Sequence, residues 1–323
     1  MPNKKDNGFI HKLHPQLGEW FISKFQRPTV IQNEAVPNIL SSRHVIISSP
    51  TGSGKTLSAF TGILNRLMVL ADQGKLEDRI YCVYISPLKA LTSDIEVNLK
   101  KPLEEMKNAG VDAASKIRLG IRTGDTSDKE RRAMAILPPH IYLTTPESFA
   151  LSISSPVFGK AFDTIEYVVV DEIHDLVASS RGAFLTLFLS LLETRSANFS
   201  RIGISATLGD TDAVSDFLMS NSRGTPVVCK GEGAGAKMTI LPPEEDMLTT
   251  PLDVVLKNAA KKCWEIAQKE GTTLVFTTTR SDAESLAHAI GSLRGKPVPV
   301  HHGSLSERER KTVEDGLRNN IHD

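Results

Sequence analysis

Short apolar runs alternate with longer amphipathic stretches along most of this chain, and few folds accept that order. The runs are His44–Ser48 (HVIIS), Ile80–Ser86 (IYCVYIS), Lys116–Ile121, Ile141–Thr144, Ile165–Asp171 (IEYVVVD), Arg201–Ser205 (RIGIS) and Pro226–Cys229. Several are apolar at consecutive positions instead of at every second one. A strand with one face in water alternates. A strand covered on both faces need not, so these runs predict the buried strands of a parallel sheet. The segments between them carry the helical period. Leu57, Phe60, Ile63, Leu64, Leu67 and Leu70 share one helical face, as do Leu185, Phe188, Leu189 and Leu192. Strand and helix in alternation predict an α/β fold with a doubly wound parallel sheet.

The pattern breaks at 231–251, GEGAGAKMTILPPEEDMLTTP, where glycine and proline mark a linker. It then resumes as a helix over Pro251–Lys269, a strand Thr272–Thr277, a helix Ser281–Leu293, a strand Pro297–His301 and a helix Ser306–Leu317. The expected division is a first domain at 1–232, a linker at 233–250 and the N-terminal part of a second domain at 251–323. That last stretch is short for a self-standing parallel α/β domain. Composition removes other classes. With 40% hydrophobic and 24% charged residues, the chain lies in the globular range. No apolar run reaches the roughly 18 residues that a membrane helix needs. The N-terminus has no apolar core of a secretory signal behind its lysines. Cys82, Cys229 and Cys263 are far apart and odd in number, which speaks against a disulfide framework or a zinc site and makes a reducing cytoplasm the expected compartment. The 38 Lys and Arg balance 38 Asp and Glu. Zero net charge argues against holding nucleic acid by bulk charge and leaves a local groove open.

Two segments carry chemistry. The first is Ser49–Thr56, SPTGSGKT, between the HVIIS run and the helix that follows it. Gly52 and Gly54 free the backbone to turn its N–H groups towards an anion. Lys55 can reach β- and γ-phosphates, Thr56 offers a hydroxyl to Mg²⁺, and the helix start adds its dipole. The general phosphate-loop pattern has Gly where this chain has Ser49. A plain Gly/Ser turn is the alternative, and Gly-Lys-Thr between strand and helix favours the phosphate loop. The second segment is Val168–His174, VVVDEIH. Ligands of open α/β sheets bind beyond the carboxyl ends of strands. There Asp171 is placed to hold Mg²⁺ through water, and Glu172 to orient and deprotonate an attacking water. An Asp-Glu pair alone reads equally well as solvated charge; the upstream phosphate loop makes Lys55, Asp171 and Glu172 the candidate catalytic set.

Asp171-Glu-Ile-His174 resembles the DExH box of superfamily 2 helicases, and other segments resemble that family's motifs in the family's order. Phe25–Gln32 (FQRPTVIQ) resembles the Q motif. This implies that Gln32 reads the adenine edge with Arg27 beside it, and that Thr51, Gly52, Ser53, Gly54, Lys55 and Thr56 cradle the phosphates. Ser86–Leu91 (SPLKAL) resembles motif Ia and Thr144–Ser148 (TTPES) resembles motif Ib. These imply nucleic-acid contacts at Pro87, Lys89, Thr145 and Pro146, with the backbone at Gly124. Ser205-Ala-Thr207 matches motif III, which implies that Ser205 and Thr207 relay the nucleotide state together with His174. Leu274–Arg280 resembles motif IV, and His301–Ser306 the segment after it. The stretch DEIHDLVASSRG at 171–182, with TTPES before it, is most like the large helicase-related branch, and places Arg181 on the nucleic-acid face.

The resemblance covers about residues 15 to 323. It implies a RecA-like fold with an incomplete second RecA-like domain. It also implies ATP and Mg²⁺ as cofactors (Mg²⁺ at Thr56 and Asp171), and single-stranded or tailed nucleic acid as partner, DNA ahead of RNA, with no membrane. The chain departs from the family because the sequence stops before motifs V and VI. No Gly-Arg-x-Gly-Arg, the source of the arginines at the γ-phosphate, occurs in it. The expected function is an ATP-dependent helicase or translocase whose 323 residues bind ATP with little turnover. The alternatives are an RNA helicase and a non-catalytic nucleic-acid-binding module. A metabolic P-loop kinase would carry neither Ser-Ala-Thr nor Thr-Thr-Pro-Glu-Ser. Among the remaining residues, Arg131-Arg132 reads as a solvated helix face, Cys82 as core, Trp20 as a hydrophobic anchor, and His301-His302 as lacking partners at metal-ligand spacing.

Overall fold

The computed structural model describes residues 8–86, 95–196, 198–220, 224–231, 238–241, 246, 249–270 and 272–319. The chain divides into two compact units, Met1–Ala236 and Lys237–Asp323. In the first, β1 (Val45–Ser48), β2 (Cys82–Ile85), β3 (Leu119–Arg122), β4 (Ile141–Thr144), β5 (Tyr167–Val170), β6 (Ser200–Ser205) and β7 (Val227–Lys230) form one sheet. Its order is β3-β4-β2-β5-β6-β1-β7, and every pairing is parallel. Each strand falls in or at the edge of an apolar run. β1, β2, β4, β5 and β6 are buried at every position, which is why they do not alternate in sequence.

Successive strand residues point to opposite faces, so two apolar layers form. Val45, Ile47, Cys82, Tyr84, Val169 and Ile202 join helices Pro15–Phe25, Val30–Leu40 and Lys55–Asp72 in one cluster. Ile46, Val83, Ile85, Val168 and Val170 join helices Pro146–Ile153, Ile173–Val177, Ser180–Arg195 and Thr211–Met219 in the other. The registers level the strand ends: Ser48 faces Ser205, and Ile85 faces both Thr144 and Val170. Strand order therefore sorts the motifs along one edge. Those of the nucleotide follow β5, β6 and β1, which are neighbours. Those expected to meet nucleic acid follow β3, β4 and β2, also neighbours.

The second unit holds helices Leu252–Glu270, Arg280–Arg294 and Glu307–Arg318. Ala260, Leu286 and Ile290 form its small core, with Cys263, Trp264 and Val298 packed on it. The strands expected at Thr272–Thr277 and Pro297–His301 are not formed: among the described residues neither segment has a ladder partner. A strand exists only by pairing, and an apolar run is stable only when covered. Here Leu274 is 62% and Phe276 89% exposed. No helix among the described residues is long and apolar enough to cross a membrane.

Candidate functional site

A cavity of about 960 Å³ opens at the carboxyl ends of β1 and β5. It gathers Arg27, Gln32, Thr51–Thr56, Asp171 and Glu172, the residues expected from sequence on the nucleotide side. Gly54 caps helix Lys55–Asp72 in the left-handed region, at φ 92° and ψ 21°. A Cβ there would also strike Gln32 Nε2 at 2.4 Å, so glycine is needed for both conformation and proximity. The approach is deliberate on the other side too. Gln32 is buried, and its Oε1 accepts from Thr29 N at 2.8 Å in a capping box at the head of helix Val30–Leu40. Thr29 Oγ1 donates to Ser53 O at 2.9 Å. The Q-motif segment is thus fastened directly to the phosphate loop.

Lys55 is buried, and its Nζ donates to the carbonyls of Ser49 and, at 2.9 Å, Pro50. The hydroxyls of Ser49 and Ser53 are buried with no hydrogen-bond partner. A buried hydroxyl without a partner is costly. Ser53, which lines the cavity beside Lys55 and the helix start, suits an oxyanion. Thr56 and Asp171 line the same cavity, and the hard oxygen donors that they carry fit Mg²⁺.

Asp171 is tied down on several sides. Its N donates to Ile85 O at 2.8 Å, its Oδ1 accepts from Glu172 N at 2.9 Å, and its Oδ2 accepts from the Tyr84 hydroxyl. Glu172 adopts φ 46° and ψ 44° at the strand-to-helix corner. For a residue with a Cβ, that conformation costs about 1–2 kcal/mol. Its Oε2 is buried without a hydrogen bond and lies 3.5 Å from His174 Nδ1. His174 Nδ1 is also 3.0 Å from Ser205 Oγ, which bonds Thr207 O. A hydroxyl has one proton. With that proton directed at Thr207 O, His174 donates from Nδ1, while its Nε2 lies 3.6 Å from Asp175 Oδ1. Ser49 N donates to Ser205 O at 3.3 Å. His174, Ser205 and Thr207 thus form one polar chain from β5 to β6, touching β1.

On the other half of the edge, Thr145 caps helix Pro146–Ile153, its hydroxyl accepting from Ser148 N at 3.4 Å. Arg181 lies against that helix: Nε and Nη2 donate to Glu147 Oε1 and Oε2 at 2.6 and 3.1 Å. The pair holds the Glu147 carboxyl below its ordinary range and the guanidinium above its own. Gly124 follows β3, and a Cβ on it would meet nothing within 4 Å. Arg131, expected to be a plain solvated face, instead donates to Gly124 O at 3.3 Å while pairing with Asp128. Pro87 and Lys89 lie outside the described residues. His301 and His302 each find a carboxylate, Glu314 at 3.0 Å and Glu284 at 2.9 Å.

Sequence reading missed a wall and a tether. Helix Lys101–Asn108 closes one side of the cavity, where Glu105 accepts from Trp20 Nε1 at 2.9 Å and Lys24 Nζ at 2.7 Å. Trp20 also packs edge-on to Phe25 at 5.8 Å, so it is an anchor that lines the site. The tether is Tyr84, which reads from sequence only as one more core residue of a strand. No local pattern reports bonds that join residues so far apart along the chain.

A model of the DEAD/DEAH box helicases matches residues 29–214, more than half of the chain. The ATP-dependent helicase Lhr-Core of Methanocaldococcus jannaschii is 41% identical over 317 residues, which is 97% of this chain and 37% of that protein. The chain therefore spans little more than a third of that relative's length. The structure of Mycobacterium smegmatis helicase Lhr bound to ssDNA and AMP-PNP superposes with a TM-score of 0.76 at 32% identity, covering 98% of this chain and 41% of that one. The DEAD-box helicase Mss116 bound to ssRNA and UDP-BeF superposes with a TM-score of 0.73 at 18% identity, over 95% of this chain and 62% of that one, a likeness of fold alone. The fold is thus RecA-like, and the chain belongs to the DEAD/DEAH box helicase family, where it resembles the large helicase-related branch.

Proposed function

We propose that this chain provides the ATP-binding motor unit of a helicase or translocase acting on single-stranded or tailed DNA. The observation that supports it best is the cavity at β1 and β5, where a phosphate loop with the orphaned Ser53 hydroxyl shares the lining with an Asp-Glu pair. In this reading Lys55 leaves its carbonyl partners for the β- and γ-phosphates. Gln32 and Arg27 meet the adenine side. Thr56 and Asp171 hold Mg²⁺, which neutralises phosphate charge when bound. Glu172, with an orphaned oxygen, orients the attacking water and takes its proton. His174, Ser205 and Thr207 pass the nucleotide state along the polar chain between β5 and β6. Residues 1–232 act as the first RecA-like domain, 233–250 as a linker and 251–323 as the start of a second.

The strand runs across the loops after β2, β3 and β4, touching Pro87, Lys89, Gly124, Thr145, Pro146 and Arg181. It is held by its phosphates and not by its bases. The likeness to the smegmatis helicase bound to ssDNA favours DNA over RNA. The test is calorimetric titration with Mg²⁺-ATP. Lys55→Ala removes the charge facing the phosphates, and affinity should fall at least tenfold, about 1.4 kcal/mol. Unchanged affinity would remove the phosphate-loop assignment and the motor reading with it.

A further inference from the structure

Tyr84 sits near the carboxyl end of β2, and its hydroxyl bonds across to Asp171 Oδ2, at the end of β5. The side chain is 1% exposed, and its ring stacks on Phe60 at 5.1 Å with 24° between the planes. Phe60 lies on the helix that begins with Lys55 and Thr56. The ring thus rests on the element that carries the phosphate loop, and the hydroxyl holds the carboxylate that follows β5. For packing alone, phenylalanine would fill this place without a polar atom to bury. The second carboxylate oxygen, Oδ1, accepts from Glu172 N. A side-chain donor on β2 and a backbone donor at the corner after β5 therefore both hold one carboxylate.

We propose that Tyr84 is a positioning residue for the metal side of the site: its phenol fixes the plane of the Asp171 carboxylate relative to Thr56, and so sets how well Mg²⁺ supports nucleotide binding. The proposal rests on the reading of Asp171 as the metal-side carboxylate. Partners that orient a ligand from behind it typically matter by 10–100-fold in metal affinity.

The experiment uses Tyr84→Phe, Asp171→Asn and the double variant in the 323-residue chain. A fluorescent ATP analogue is titrated first in EDTA and then at rising Mg²⁺. With Tyr84→Phe, the Mg²⁺ concentration for half-maximal tightening should rise about tenfold. Metal-free affinity should match the unaltered chain, because ring and stack are retained, while the thermal midpoint falls by a few degrees for the lost bond to a buried carboxylate. If Tyr84 acts through Asp171, the double variant should behave as Asp171→Asn alone. An unchanged Mg²⁺ dependence in Asp171→Asn overturns the metal-side reading itself. A shift in Asp171→Asn with none in Tyr84→Phe overturns only the role of Tyr84. So does an additive double variant, or an equal loss of metal-free binding.

Discussion

Glu172 is the residue whose backbone and side chain both look provisional. It takes a left-handed conformation without being glycine, and one carboxylate oxygen is buried with no hydrogen bond. Strain of this kind persists only where the surroundings impose it. Here the Asp171 anchors on one side and helix Ile173–Val177 on the other leave the corner no other route. In the proposed role that carboxylate turns from His174 Nδ1, 3.5 Å away, to the attacking water. Glutamine keeps the shape and removes the basicity. Glu172→Gln should therefore leave ATP affinity within about threefold, yet lower hydrolysis by at least about 100-fold in a chain that carries motif VI. Calorimetry and phosphate release read the two quantities separately. Turnover that survives within about threefold places the base on another residue.

At the scale of elements, the decisive feature is the sorting of loops along the sheet. Those after β3 and β4 offer backbone groups and Thr145 on a chain with no net charge. Any salt dependence of strand binding then reports local phosphate contacts. Anisotropy titrations with single strands should give a log–log slope of about −0.7 per contact, nearly the same for strands of equal length and different sequence. A strong preference for one sequence would count against this grip. Much of the architecture was legible beforehand, because a strand buried on both faces writes itself as an unbroken apolar run, as in Tyr167–Val170. The phosphate loop and DExH box were legible for the same reason: each is a short contiguous segment whose residue types its chemistry demands. Runs that need a neighbour misled, as Thr272–Thr277 shows; the residues of a strand do not say whether a partner lies beside it. Bonds between distant segments, such as Trp20 to Glu105 and Tyr84 to Asp171, leave no local trace.

For the whole molecule, phosphoryl transfer spreads negative charge over the γ-phosphate oxygens, and an inserted arginine that meets it contributes roughly 10³- to 10⁵-fold in rate. The family draws that arginine from Gly-Arg-x-Gly-Arg, which these 323 residues do not contain. Arg280 of the second unit bonds Ser304 at 2.6 Å and does not stand at that motif. The 323-residue polypeptide should therefore bind ATP, hydrolyse it near the background rate and leave a tailed duplex paired, since unwinding needs a cycle of closing and opening between domains. Steady-state phosphate release with and without single strands checks this. Brisk stimulation would mean that the arginine arrives from elsewhere, such as a second copy.

The division of the sheet edge has one further consequence. On the proposed reading, fuel and cargo are served by separate flanks, with the frontier along the pairing of β2 with β5. The cargo flank could be exchanged for loops that grip a different polymer while the fuel flank stays intact, so long as the graft keeps a tyrosine at the frontier. Diversification of such motors would then proceed by swapping what is held, and seldom by reinventing what is burned.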